Sequence, residues 1–295
     1  MNCIIIKRNL FFFLTLVFLA SCSNKNLSDK VILSSEIALD CILPSPTGSL
    51  PSDLYSIGEI IISDEYPPFT KKLTACGITL IARDEISNEF MRNVAITISE
   101  MFTTTSDTDT KLQQRLIENL FKYNTTIPLF YGENWDIQYS DESNWEKTRA
   151  ENSICDIIME AIPNQVMEVV EHILHHVSDI GLHYTMNDDW GLTSDSKLYQ
   201  VTNDAISSGD YDIGQYSDIG ESDIRNRVIL QEYAYWIIYT AWGLREKYGP
   251  NDSEWSIMNK NELVTKQASS FDLFNSSIPK VMTCPSDSTL RLFED

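Results

Sequence analysis

"EHILHHVSDIGLHY" (residues 171–184) holds every histidine of a 295-residue chain: His172, His175, His176 and His183. An α-helix turns about 100° per residue. On that wheel Val166, Val169, Val170, Ile173, Leu174, Val177 and Ile180 share one side. Glu168, Glu171, His172, His175, His176 and Asp179 share the other. The spacing predicts a helix from Pro163 to Gly181, with an apolar face turned to a core and a stripe of imidazoles and carboxylates opposite. Proline suits a first helical turn and glycine a natural stop.

Outward from this helix the chain alternates short apolar runs with amphipathic ones. "KLTACGITLIARD" (72–84), punctuated by Gly77, predicts one buried strand; "TIPLFY" (126–131) and a short run at 59–62 predict two more. Ser87 followed by Phe90, Met91, Val94 and Ile98 predicts a capped helix over 84–102, and "KLQQRLIENLFKY" a second over 111–123. "DIRNRVILQEYAYWIIYTAWGLREKYG" (223–249) is apolar almost all round, as a fully buried helix would be. The glycine- and aspartate-rich stretch 206–223 reads as an acidic surface loop, and the tail from Asn259 as mixed short helix and irregular chain. The expected class is α+β, helix-rich with a small sheet.

The first residues have another character. Lys7 and Arg8 precede an apolar run over 10–19, followed by Ala20, Ser21 and Cys22. A basic start, a short apolar core and small residues form a secretory signal rather than a spanning helix. Leu19-Ala20-Ser21-Cys22 resembles the lipobox of bacterial lipoproteins, which implies cleavage after Ser21 and a lipid on Cys22. Ser23 follows where inner-membrane retention would favour aspartate, so the expected location is the outer membrane or surface of a Gram-negative cell. Three segments follow from this: a signal peptide (1–21), a tether and N-terminal arm (22–70), and one folded domain (71–295).

The formal net charge is −21, and loss of Lys7 and Arg8 makes the mature chain more acidic still. Such a surface repels nucleic acids and anionic membranes, leaving lipidated Cys22 as the expected membrane contact. In an exported protein Cys41, Cys76, Cys155 and Cys284 allow three disulfide pairings, and no Cys-x-x-Cys spacing suggests a thiolate zinc site. No Gly-x-Ser-x-Gly elbow, P-loop or dinucleotide fingerprint is present.

Glu171, His175 and Asp179 stand one turn apart, so they can face one cation. Nitrogen and oxygen donors of this kind suit a divalent transition metal, zinc foremost. Glu171-His172-Ile173-Leu174-His175 has the frame of the zinc-peptidase helix H-E-x-x-H with its first two residues exchanged. Glu171 then stands at the first ligand, His175 at the second, and His172 at the general base. Glu232, an acid on an otherwise apolar helix flanked by Tyr233 and Tyr235, is a candidate for a ligand from a second element.

The blocks "KLTACGITLIARDEISNEFMRNVAITISEMF", "EHILHHVSDIGLHY", "LQEYAYWIIYTAWG" and "SEWSIMNKNELV" resemble a family of uncharacterised exported lipoproteins with a zincin-like helix of the pattern E-[EH]-x-x-H. The resemblance spans about residues 71–290. It implies a zincin-like domain with metal ligands at Glu171, His175 and Glu232, and Asp179 where the family has a second histidine. It also implies a calcium-like loop of which only Asp107 and Asp109 remain. If the chain is an enzyme, the expected reaction is metal-assisted hydrolysis of a peptide or similar bond in a peptide or protein substrate, with His172 or a further acid moving the proton; the competing class is a non-catalytic binding or structural lipoprotein.

Overall fold

A computed structural model describes residues 47–132, 142–250 and 253–294. The signal segment, Cys22, Cys41 and most of the tether lie outside the described residues. The rest is an α+β fold on a five-stranded mixed sheet in the order β1 (Ile61–Ile62), β2 (Lys71–Ala75), β3 (Ile78–Ala82), β4 (Thr126–Tyr131) and β5 (Ile158–Glu160). The β1–β2 and β2–β3 pairs are antiparallel; β3–β4 and β4–β5 are parallel. The arm enters the sheet through β1 and through a bridge between Ile57 and Ala75, so the domain begins before residue 71.

The single strand expected over 72–84 is a hairpin. Cys76 and Gly77 both have positive φ, 47° and 78°, the backbone of a tight two-residue turn. Gly77 also lies against the helix α2 (Thr110–Lys122), where an added Cβ would meet the Ile117 carbonyl oxygen at 2.5 Å.

Side chains alternate across the sheet. Leu73, Leu80, Ala82, Leu129 and Ile158 point into the main core, beneath α1 (Asn88–Met101) and α4 (Gln165–His176). Phe69, Ile81, Phe130 and Met159 form a smaller cluster on the other face, where Trp145 of α3 (Glu142–Glu151) packs. Ser87 caps α1, its hydroxyl accepting from Phe90 N at 3.0 Å. Asp109 caps α2 by accepting from Lys111 N and Leu112 N at 3.1 Å each. That capping role, with Asp107 exposed, accounts for the acids of the calcium-like loop.

The histidine helix begins at Gln165 but does not stop at Gly181. It widens into a π-type turn, Val177–Leu182, and runs on through His183–Thr185. Gly181 is kept small by packing rather than by backbone conformation, since a Cβ there would lie 2.9 Å from Leu116 Cδ2 of α2. Two further helices flank this one: α5 (Lys197–Ser208) and α6 (Ser222–Ala241). α6 buries nearly all its residues between Ile224 and Ala241, as its apolar circumference requires, and packs along α4. The 206–223 stretch is not a plain surface loop: its Tyr211, Tyr216 and Ile219 are buried against α6 and its neighbours. The helix α7 (Ala268–Ser277) closes the far side of α6.

A side chain at position 77 needs both left-handed backbone and space the Ile117 carbonyl occupies. Gly77→Ala should cost at least about 1–3 kcal/mol. A thermal melt several degrees below wild type is expected, with an unchanged midpoint as the contrary result.

Candidate metal centre

The polar stripe of α4 is not solvated. All four histidines are buried, His172 at 7 % exposure, His175 at 2 %, His176 at 0 % and His183 at 3 %. A buried imidazole needs a partner for each ring nitrogen, and the four find different ones.

His176 and His183 are structural. His176 Nδ1 donates to the His172 carbonyl at 2.8 Å, and its Nε2 accepts from the backbone N–H of Cys155 and of Asp156, both at 3.3 Å. His183 Nδ1 accepts from Leu192 N at 3.1 Å. Burial lowers both rings to a pKa of about 4 and keeps them neutral.

His172 and His175 sit among carboxylates. His172 Nδ1 is 3.2 Å from Glu168 Oε1, and its Nε2 is 3.6 Å from Asp156 Oδ2. Burial opposes a charge on His172, but Asp156 and Glu168 outweigh it and raise the ring to about 10. His175 Nδ1 lies 2.7 Å from Asp156 Oδ2, and its Nε2 faces Glu232 Oε2 at 3.5 Å. Burial opposes its charge too, yet Glu232 and Asp156 lift it well above the usual range. Asp156 is resisted by burial and held down, to about 2, by the two imidazoles. The edge of Tyr235 closes over His175, with ring centres 5.9 Å apart.

Two donor groups share His175. Glu171, His175 and Glu232 bring ligand atoms within 4.8 Å of one another, and so do Asp156, His172 and His175. These groups can hold a metal ion. Glu171, His175 and Glu232 are thus three of the four ligand candidates read from the sequence.

Asp179, the fourth, is elsewhere. It is fully buried and pairs with Arg227 Nη1 of α6 at 3.0 Å, and the same nitrogen donates to Gln231 Oε1 at 2.8 Å. A guanidinium already neutralises this carboxylate, so it takes no part in the donor group.

His172 is near the centre but poorly suited to act as a base. Held between Glu168 and Asp156, it is an imidazolium at neutral pH and has no lone pair to offer.

Periodicity did not reveal Asp156, which lies on the irregular approach to β5. The trace it leaves in sequence is a lone acid inside the apolar run Ile154-Cys155-Asp156-Ile157-Ile158. Cys155 beside it is disulfide-bonded, whereas Cys76 and Cys284 are free thiols, so the partner of Cys155 lies outside the described residues. Behind Glu232, the Glu254 carboxyl accepts from the Tyr216 hydroxyl; burial and the charge of Glu232 push it up to about 7.

The four histidines set opposing pH limits on stability. An unfolded histidine titrates near 6.5. As pH falls from there towards 4, the unfolded chain takes protons that folded His176 and His183 refuse, so stability drops. As pH rises from 6.5 towards 10, the folded chain keeps a proton on His172 that the unfolded chain has lost, so stability drops again. The Glu254 carboxyl, raised from 4.5 to about 7, also loses its contribution as pH rises from 4.5 towards 7, so the metal-free protein should melt highest a little below pH 6.5. His183→Gln should flatten the acid limb and His172→Gln the alkaline limb, as read by calorimetry across pH.

No family model, curated protein or solved structure matches this chain.

Proposed function

We propose that this chain is an exported, lipid-anchored protein that holds one divalent transition metal, zinc by the chemistry of its donors, between Glu171 and His175 of α4 and Glu232 of α6. The observation that carries this reading is His175 Nε2. It is buried, has no hydrogen-bond partner among the described residues, and faces the Glu232 carboxylate at 3.5 Å. Two ligands at about 2.05 Å from a tetrahedral ion stand roughly 3.3 Å apart, which this separation fits. A cation between them would also relieve the repulsion of two carboxylates brought together in a poorly solvated place. A proton on His175 fills that role when no metal is bound, so metal binding releases a proton and weakens as the pH falls.

The surroundings favour a stabilising or binding centre over a catalytic one. His175 and Glu232 are almost wholly buried, and the residue at the base position, His172, is held as a cation. A second reading, a divergent zincin-like hydrolase acting on peptides, is favoured by the ligand count. Three protein donors leave a four-coordinate ion one place for water, as in hydrolytic zinc sites, and Glu171 is only partly buried. The bound metal would supply a polarised water there; this chain's residues would hold the ion and exclude bulk solvent.

The mature protein, produced without residues 1–22 and loaded with zinc, should retain about one equivalent by mass spectrometry of its metal content. His175→Gln and Glu232→Gln should each lower affinity by more than the roughly 10- to 100-fold typical of losing an outer partner. Retention of no zinc, cobalt or manganese by the wild type would remove the proposal. A peptidase activity abolished by chelator and restored by zinc selects the hydrolase reading; its absence in the zinc-loaded protein selects the binding one. In the full-length chain, Cys22→Ser should shift the protein from the membrane fraction to the soluble fraction, and retention in the membrane would contradict lipid anchoring.

A further inference from the structure

We infer that Asp156 is the positioning residue of this centre: it accepts a hydrogen bond from the Nδ1–H of His175 and so aims Nε2, with its lone pair, at the cation between Glu171 and Glu232. The inference rests on the metal reading above and adds a residue that sequence periodicity does not reveal.

Distances decide between ligand and positioning roles. Asp156 also belongs to a donor group with His172 and His175. Its Oδ2 lies 2.7 Å from His175 Nδ1, well inside the roughly 3.3 Å between two ligands of one tetrahedral zinc. The same distance suits a charge-assisted N–H···O bond, whose range is about 2.7–2.9 Å. A proton, not a metal, belongs between them. With Nδ1 protonated, Nε2 is left as the electron-pair donor, and it already faces the Glu232 carboxylate. An outer carboxylate both sets the ring's orientation and raises its basicity as a ligand.

Asp156 is itself held in place. Its backbone N–H donates to His176 Nε2 at 3.3 Å, and its Oδ1 accepts from Ile157 N at 2.8 Å. Oδ2 lies 3.6 Å from His172 Nε2, and the adjoining Cys155 is tied by a disulfide. His176 thus serves the centre indirectly by pinning the Asp156 backbone. A carboxylate-backed imidazole with two carboxylates suits a borderline ion such as zinc or cobalt, whereas calcium and magnesium take oxygen donors.

The test compares wild type, Asp156→Ala and Asp156→Asn in the zinc-loaded mature protein, with zinc affinity measured against a competing chelator. Asp156→Ala should keep a stoichiometry of one and lose about 10- to 100-fold in affinity. Asp156→Asn retains an acceptor without the charge and should fall between. A downfield, slowly exchanging His175 Nδ1 proton should be visible by NMR in the wild type and lost in Asp156→Ala, a signal that general destabilisation would not remove from a folded chain. Wild-type affinity in Asp156→Ala overturns the inference while leaving the metal centre standing. If Asp156→Ala does not fold, wild-type affinity in Asp156→Asn overturns it. Failure of the wild type itself to bind zinc would instead remove the metal reading, and this inference with it.

Discussion

A helix buried on every side must find a partner for each polar atom it removes from water. That constraint governs α4. Its apolar face packs into the main core, and its histidine face is also enclosed, against the approach to β5 and against α6. Each ring nitrogen on that face therefore meets a backbone group, a carboxylate, or a place that a cation can fill. The positions of the 152–157 segment and of α6 are tied to this requirement, since they carry the partners.

Four chemically identical side chains come to serve different ends because their partners differ. His176 and His183 meet backbone N–H groups, which demand a lone pair and keep the rings neutral. His172 meets two carboxylates, which demand a proton. His175 meets a carboxylate on each side, one near enough to share a proton and the other at the separation of two metal ligands. The segregation extends to Asp179, one turn beyond His175, which is neutralised by Arg227 and so kept out of the donor group.

The centre is framed by elements of opposite kind. α6 contributes Glu232 and Tyr235 from a rod whose apolar surround holds them rigidly, and the irregular approach to β5 contributes Asp156 through hydrogen bonds and a neighbouring disulfide. The parallel pairing of β4 with β5 carries that approach to the edge of the sheet nearest α4, where β5 and α4 pack together. Among the described residues no helix is long and apolar enough to cross a membrane.

Local patterns in the sequence determined the class of the fold, the extent of α1 and α2, the start of α6 and the polar stripe of α4, because each is a matter of period and capping between residues a few positions apart. The single helix expected over 223–249 instead ends at Ala241 and resumes at Leu244 after Gly243, whose φ is 76°. They also singled out Glu171, His175 and Glu232, since an acid in an apolar helix is anomalous wherever that helix packs. The hairpin at Cys76 and Gly77 was legible only in part: an apolar run broken by one glycine does not say whether the chain bulges or reverses. Asp156, the loss of Asp179 to Arg227, and the cationic state of His172 were decided by tertiary structure alone. Each depends on which groups from distant elements arrive within about 4 Å of one another, and a one-dimensional period holds no record of that meeting.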